Sequence, residues 1–228
     1  MAQIMVDVLK PFGPRIFKLS LPKDVIGKLV YITDNLISNE DRKSYGCNLA
    51  GQIKEEVEIS KGILKKEGLY NTFNNYLKSY IEHCLLDLGK FNNKEHKVYC
   101  DLTDMWFNEM KQGEYNPIHY HTSCHVSSVL YLKIPPNKIK RNIECKSDKD
   151  GQIEFVDRSV GPNLLQRSSL SINPKVGDMY MWPSSLLHTV YPFLGDGIRR
   201  SIAWNGTYRL CDVKDNRILL GGSPTPSS

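Results

Sequence analysis

The chain has no apolar run approaching the ~18 residues that a helical bilayer span requires, so a helical membrane protein is not the reading. Residues 1–19 lack both a continuous apolar core and a cleavage pattern, so no signal peptide is expected and a cytoplasmic, soluble protein is. Cys-x-x-Cys pairs are missing too. The six cysteines (47, 84, 100, 124, 145 and 211) are scattered, and without a secretory signal they read as reduced thiols, not disulfides. No charge of one sign dominates: 30 Lys and Arg stand against 25 Asp and Glu, interspersed, for a net +5. That balance mildly favours anionic partners but does not indicate nucleic acid. There is no internal repeat and no low-complexity tract.

What remains is an ordinary globular composition, 40% hydrophobic and 24% charged over 228 residues. One domain over residues 1–220 is expected, with 221–228 as a disordered tail. Its N-terminal part, about 20–90, has helical spacing. A helix begins near Pro22, since proline suits a first turn, and carries Val25, Leu29, Ile32 and Leu36 to about residue 37. A loop is expected over 48–53. A second helix places Leu69, Phe73, Tyr76, Leu77, Tyr80, Ile81, Cys84 and Leu85 on one core-facing stripe and stops near Gly89.

From about 97 to 210 the texture is that of strands. β-Prone segments lie around Val98–Phe107 and at 126–134, 153–156, 169–172, 179–182 and 201–204, with Gly, Pro and Asn between them. Many short strands with such turns predict a sandwich or barrel with the two helices packed outside, an α+β protein. The polar stretch 138–151 reads as an exposed loop.

Within that region lie His119-Tyr-His121 and a later His188. If 119–121 is a strand, residues two apart face one way, so both histidines enter one cavity. His188 follows Trp182-Pro-Ser-Ser and can return to the same place in a folded barrel. Neutral imidazole suits iron, zinc, copper and nickel, and three protein ligands leave a catalytic metal open positions. His125 is an alternative ligand or a wall residue. Cys124 is a soft ligand or a packing residue, and Asp157 a carboxylate ligand or a turn residue. Arg199 and Ser201 share a strand face eleven residues beyond His188, and arginine with a hydroxyl suits a carboxylate. Only one of Arg199 and Arg200 can face inward from a strand.

Residues from about Trp106 to Asn205 resemble the iron(II)/2-oxoglutarate-dependent oxygenases, in particular prolyl-hydroxylase-like proteins of phages and marine bacteria. The motifs are Trp106-Phe-Asn108, His119-Tyr-His121, Ser127-Ser-Val-Leu-Tyr131, Pro174-Lys-Val-Gly-Asp178, Trp182-Pro-Ser-Ser-Leu-Leu-His188 and Arg199-Arg-Ser-Ile-Ala-Trp-Asn205. The resemblance extends less closely to 21–53. It implies a double-stranded β-helix, a jelly-roll or cupin-like barrel. It implies Fe(II) held by His119, His121 and His188, and 2-oxoglutarate held by Arg199 and Ser201 with Tyr131 nearby. The resemblance implies an enzyme of phage or bacterial type that hydroxylates a peptide or small molecule; nothing in the sequence selects the substrate, and a homodimer is open.

One departure stands out. The superfamily usually places Asp or Glu where His121 stands, and a neutral ligand there raises the charge of the metal site. Ser127-Ser128 also replaces the usual Ser-Gly. A three-histidine cupin-like dioxygenase without 2-oxoglutarate, a non-catalytic metal-binding barrel and a protein with purely structural histidines are the rival readings.

Overall fold

The structure, a computed structural model, describes residues 13–139, 148–158 and 167–222. Cys145, the Gly161-Pro162 turn and most of the expected 138–151 loop and C-terminal tail fall outside them. In chain order the elements begin β1 (Phe17–Ser20), α1 (Lys23–Ser38), β2 (Glu55–Glu58), α2 (Lys61–Lys66) and α3 (Tyr70–Asp87). The long strand β3 (His96–Met110) follows, then β4 (Asn116–His119), β5 (Val126–Lys133), β6 (Asn137–Lys138) and β7 (Ile153–Val156). The chain closes with β8 (Ser169–Ile172), β9 (Asp178–Pro183), β10 (Leu187–Val190), β11 (Gly195–Asp196), β12 (Arg199–Asp212) and β13 (Ile218–Gly221).

The strands form two main antiparallel sheets. The larger runs β1-β9-β5-β12-β3-β2, with β13 added to β12; the smaller runs β4-β10-β7-β8, and β6 and β11 pair separately. Period-2 alternation then builds two cores from one sheet. Leu130 and Leu132 of β5, Met179 and Met181 of β9, and Ile202 and Trp204 of β12 turn outward under α1 and α3. The alternate residues Val129 and Tyr131, Tyr180 and Trp182 turn inward against Ile153, Phe155 and Val190 of the smaller sheet. The expected two-sheet β-helix with external helices is present, as an open pair of facing sheets and not a closed barrel.

α1 and α3 occupy the segments their apolar spacing marks, and Gly89 ends the second with a positive φ of 65°. The N-terminal part is less helical than its spacing suggests, because β1 and β2 join the larger sheet at its two edges. The strand expected at 201–204 extends over fourteen residues. Past Asn205 the β12–β3 ladder shifts register, and Gly206 sits where a Cβ would strike Leu77 of α3, so the sheet and helix approach closely there. Asp150, in the stretch read as exposed, is buried, and its carboxylate accepts a hydrogen bond from the Leu194 N–H at 3.3 Å. The five described cysteines are all free. No described helix is long and apolar enough to cross a membrane.

Candidate metal centre and its buried arginine

Two different devices bring the histidines together. The β4–β10 ladder sets His119 directly opposite His188. His121 is not on the strand: β4 ends at His119, so alternation along a single strand does not place the pair. The segment after it is instead pinned to the turn preceding β10. His121 N–H donates to Ser184 O at 3.0 Å, Ser184 N–H to His125 O at 3.0 Å, and Ser184 Oγ to Cys124 O at 2.7 Å. Ser123, at φ 58°, takes the left-handed turn this needs. The ring centroids end 4.2 Å (His119 to His188), 5.2 Å (His121 to His188) and 5.3 Å (His119 to His121) apart. One nitrogen from each ring lies within 4.8 Å of the others, a grouping able to hold a metal ion.

Hydrogen bonding fixes which nitrogens are offered. His119 Nδ1 lies 2.7 Å from Pro117 O and His188 Nδ1 lies 3.0 Å from Leu186 O. A carbonyl only accepts, so both Nδ1 atoms carry the proton and both Nε2 atoms present a lone pair. Asn205, which favours the charged His121 ring, is itself held by Ser127 Oγ at 3.0 Å. Outer partners of this kind orient metal-bound imidazoles in general. Burial pushes the His119 pKa down; burial and then the neighbouring His119 push His121 down to about 4. His188 is held well below the ordinary value by burial and by the other two rings. All three are therefore neutral near pH 7, the form that ligates.

The same cavity wall carries Arg199 and Ser201 beside His119, His121 and His188. Arg199 is 2% exposed, yet no acidic side chain pairs with it among the described residues. Its Nη1 contacts Ser201 Oγ and Met110 Sδ, each at 3.3 Å, and its guanidinium stands 4.9 Å from the Tyr131 ring centroid. Nε and Nη2 have no partner, and neither does the buried Tyr131 hydroxyl, whose pKa burial pushes up to about 12. A buried cation with idle donors is costly unless an anion joins it. The donor set thus fits a carboxylate ligand inside the cavity, as the imidazole set fits a metal at its end.

The other candidates lie elsewhere. His125 faces α3: its Nδ1 accepts from Tyr208 N–H at 3.3 Å and its ring meets Tyr208 edge-on, outside the histidine cluster. Cys124 is a buried packing thiol 3.9 Å from Ser127 Oγ. Asp157 follows β7 and is not among the grouped side chains.

Two acidic residues near the site carry no obvious sequence signal. Glu56 lies opposite Asn108 in the β2–β3 ladder and so shares its inward face. It is 3% exposed, its Oε1 has no partner, and burial first, with Glu114 second, pushes its pKa up to about 7. A side chain at Gly51 would collide with this carboxyl and with Asn116, which explains glycine there. Asp104, opposite Asn205, lines the open mouth above His119 and His121 with Tyr45, whose hydroxyl pKa is pushed up by burial and then by this carboxylate.

Residues 104–205 match the family model described as "Putative 2OG-Fe(II) oxygenase". No curated protein matches the chain by sequence. Among solved structures, a prolyl-4-hydroxylase of Pseudomonas putida aligns with TM-score 0.52 at 15% identity, over 83% of this chain and 91% of its own. A viral collagen prolyl hydroxylase of Paramecium Bursaria Chlorella virus-1, in complex with 2-oxoglutarate, aligns with TM-score 0.50 at 17% identity, over 84% and 94%. A Trichoplax adhaerens prolyl hydroxylase, bound to a peptide fragment of a hypoxia-inducible factor, aligns with TM-score 0.51 at 15% identity, over 83% and 82%. At these identities the structural likeness is one of fold, and it is the fold on which the histidine cluster sits. Over residues 104–205, somewhat under half of the chain, the sequence is thus similar to putative 2OG-Fe(II) oxygenases, and the fold is similar to that of prolyl hydroxylases.

Proposed function

We propose that the protein is a dioxygenase that hydroxylates a peptide or small molecule, with His119, His121 and His188 as the metal ligands. Arg199 is the anchor for the distal carboxylate of 2-oxoglutarate. The observation that carries the reading is the Arg199 guanidinium, buried without a counter-ion in the cavity that the three imidazoles close.

When bound, iron and 2-oxoglutarate supply the oxidising chemistry: dioxygen converts 2-oxoglutarate to succinate and carbon dioxide, and the second oxygen atom goes to a substrate C–H bond. The protein's residues contribute placement and exclusion of water. The Pro117 and Leu186 carbonyls hold the His119 and His188 rings in orientation. Arg199 Nε and Nη2 donate to a carboxylate, with Ser201 Oγ beside them as a further hydroxyl and Tyr131 OH free to donate. Phe155 and Trp182, with ring centroids 4.9 Å apart, cover the far side of His188 and keep that end dry. The three-histidine set lacks the usual carboxylate, so the centre carries one more positive charge than its relatives, which weakens divalent metal binding and favours an anionic co-ligand.

The reading is tested by supplying Fe(II), 2-oxoglutarate and oxygen to the purified protein and measuring succinate. Slow substrate-free succinate formation that disappears in His188→Ala supports it. Absence of both succinate and 2-oxoglutarate binding leaves the cupin-like or non-catalytic metal-binding barrel.

A further inference from the structure

The mouth of the cavity has a composition that is unusual for this chain. Its lining includes Tyr45, Asn48, Asp104, Thr122, Ser123 and Asn205, with His119 and His121 at the floor. Among the described residues no lysine or arginine lines it, although the chain carries 30 such residues and a net charge of +5. Its one carboxylate, Asp104, is half-buried, has no cationic partner among the described residues and shares the lining with Tyr45.

Aromatic rings lead from this mouth to the histidines. Tyr45 stacks on Trp106 at 5.0 Å and 20°, and Trp106 stacks on His121 at 5.9 Å and 24°. The Tyr45 ring therefore stands at the entrance, in the same lining as Asp104. An anion beside an aromatic face is a combination that recognises ammonium or guanidinium groups, by charge-assisted hydrogen bonding and by cation–π contact. A second acid stands beneath the loop that supplies Tyr45 and Asn48: the buried Glu56 carboxyl, with Oε1 unpartnered, is packed against Gly46 and Gly51. An anionic substrate would meet Asp104 in this lining and, among the described residues, no cation. Arg199, the buried cation, lies on the inner wall, beyond the histidines from the mouth's lining.

We propose that the substrate carries a cationic group, an ammonium or guanidinium, which Asp104 binds beside the face of Tyr45 while the rest of the molecule reaches toward His119 and His121. This rests on the histidine cluster being the reacting centre. The cation preference itself belongs to the mouth and is present with or without a metal.

The test uses three probes of matched size: N-acetyl-arginine amide, its uncharged isostere N-acetyl-citrulline amide, and N-acetyl-glutamine amide's acidic counterpart, N-acetyl-glutamate amide. Binding is followed by tryptophan fluorescence, to which Trp106 beneath Tyr45 responds, in metal-free protein and in protein loaded with Mn(II) and 2-oxoglutarate without oxygen. The arginine probe is expected to bind about tenfold more tightly than citrulline, the size of one charge-assisted hydrogen bond, and glutamate more weakly than either. Asp104→Asn is expected to erase the arginine–citrulline difference while the thermal shift with 2-oxoglutarate persists, showing that the variant is folded. Equal binding of the probes by the unaltered protein, or binding of none, overturns the proposal, as does a preference that survives Asp104→Asn. Loss of the metal and 2-oxoglutarate shifts with the cation preference intact would instead count against the oxygenase reading and leave the mouth as assigned.

Discussion

Arg199 and Arg200 are neighbours on one strand, equally buried at 2% exposure, and their surroundings are opposite. Arg200 turns outward beneath α1. Its Nε donates to Glu109 at 2.7 Å, and its Nη1 reaches Thr33 Oγ1 at 3.0 Å and Asp34 at 2.5 Å; Lys133 joins Asp34 at 2.7 Å. Arg199 turns inward to a thioether, a hydroxyl and an aromatic ring, with no anion. One arginine is completed by the fold; the other keeps two donors without partners. The same side chain at the same depth thus fastens a helix to the sheet in one case and, in the proposed function, holds a carboxylate in the other. What separates them is which acids the adjoining elements present, not burial.

That contrast can be broken from either side. The largest effect expected is on Arg200→Ala, which strands the buried Glu109 carboxylate and removes the tie to α1; denaturant unfolding should show a loss of about 3–5 kcal/mol. Arg199→Met is expected to leave the ligand-free protein as stable as before or more so, because it removes an uncompensated buried cation. Its cost should appear in 2-oxoglutarate affinity instead, about 100-fold, a loss of ~3 kcal/mol.

The histidine cluster gives the next effect, through pH. Its three groups have folded pKa values depressed below the ordinary 6.5, His121 to about 4. Between those values the unfolded chain binds more protons than the folded one. Stability of the metal-free protein is therefore full above pH 6.5 and falls as pH drops toward 4, by up to about 1.4 kcal/mol per pH unit for each histidine. Unfolding measured at a series of pH values checks this, and His188→Ala should flatten the slope. The smallest effect is expected on Lys133→Ala, since that lysine's pairing with the half-exposed Asp34 is worth no more than ~1 kcal/mol.

The sequence was most legible where local pattern and tertiary position agree. α1 and α3 follow their apolar stripes, and β7 and β8 coincide with the β-prone segments 153–156 and 169–172. The inward pairing of Arg199 with Ser201 follows from period 2 alone. The pieces that were not legible depend on partners distant in sequence. β2 reads Glu-Glu-Val-Glu, which no strand propensity favours, and it is a strand because β3 accepts it as an edge. Glu56 looks like a surface acid until the ladder sets it opposite Asn108. His121 reaches the site by hydrogen bonds to the Ser184 turn, not by alternation from His119, so the pairing was foreseen for the wrong local reason. Asp104 gave no signal of its own; its position opposite Asn205 and beside Tyr45 in the mouth's lining appears only in the fold.

The central claim is that the unsatisfied arginine is the 2-oxoglutarate anchor of a three-histidine metal centre. The direct measurement is calorimetric titration of 2-oxoglutarate into Mn(II)-loaded protein without oxygen, comparing the unaltered chain with Arg199→Met. Saturable 1:1 binding that requires the metal and falls about 100-fold in the variant is the predicted result. Equal affinity in the two proteins, or binding indifferent to the metal, would contradict it.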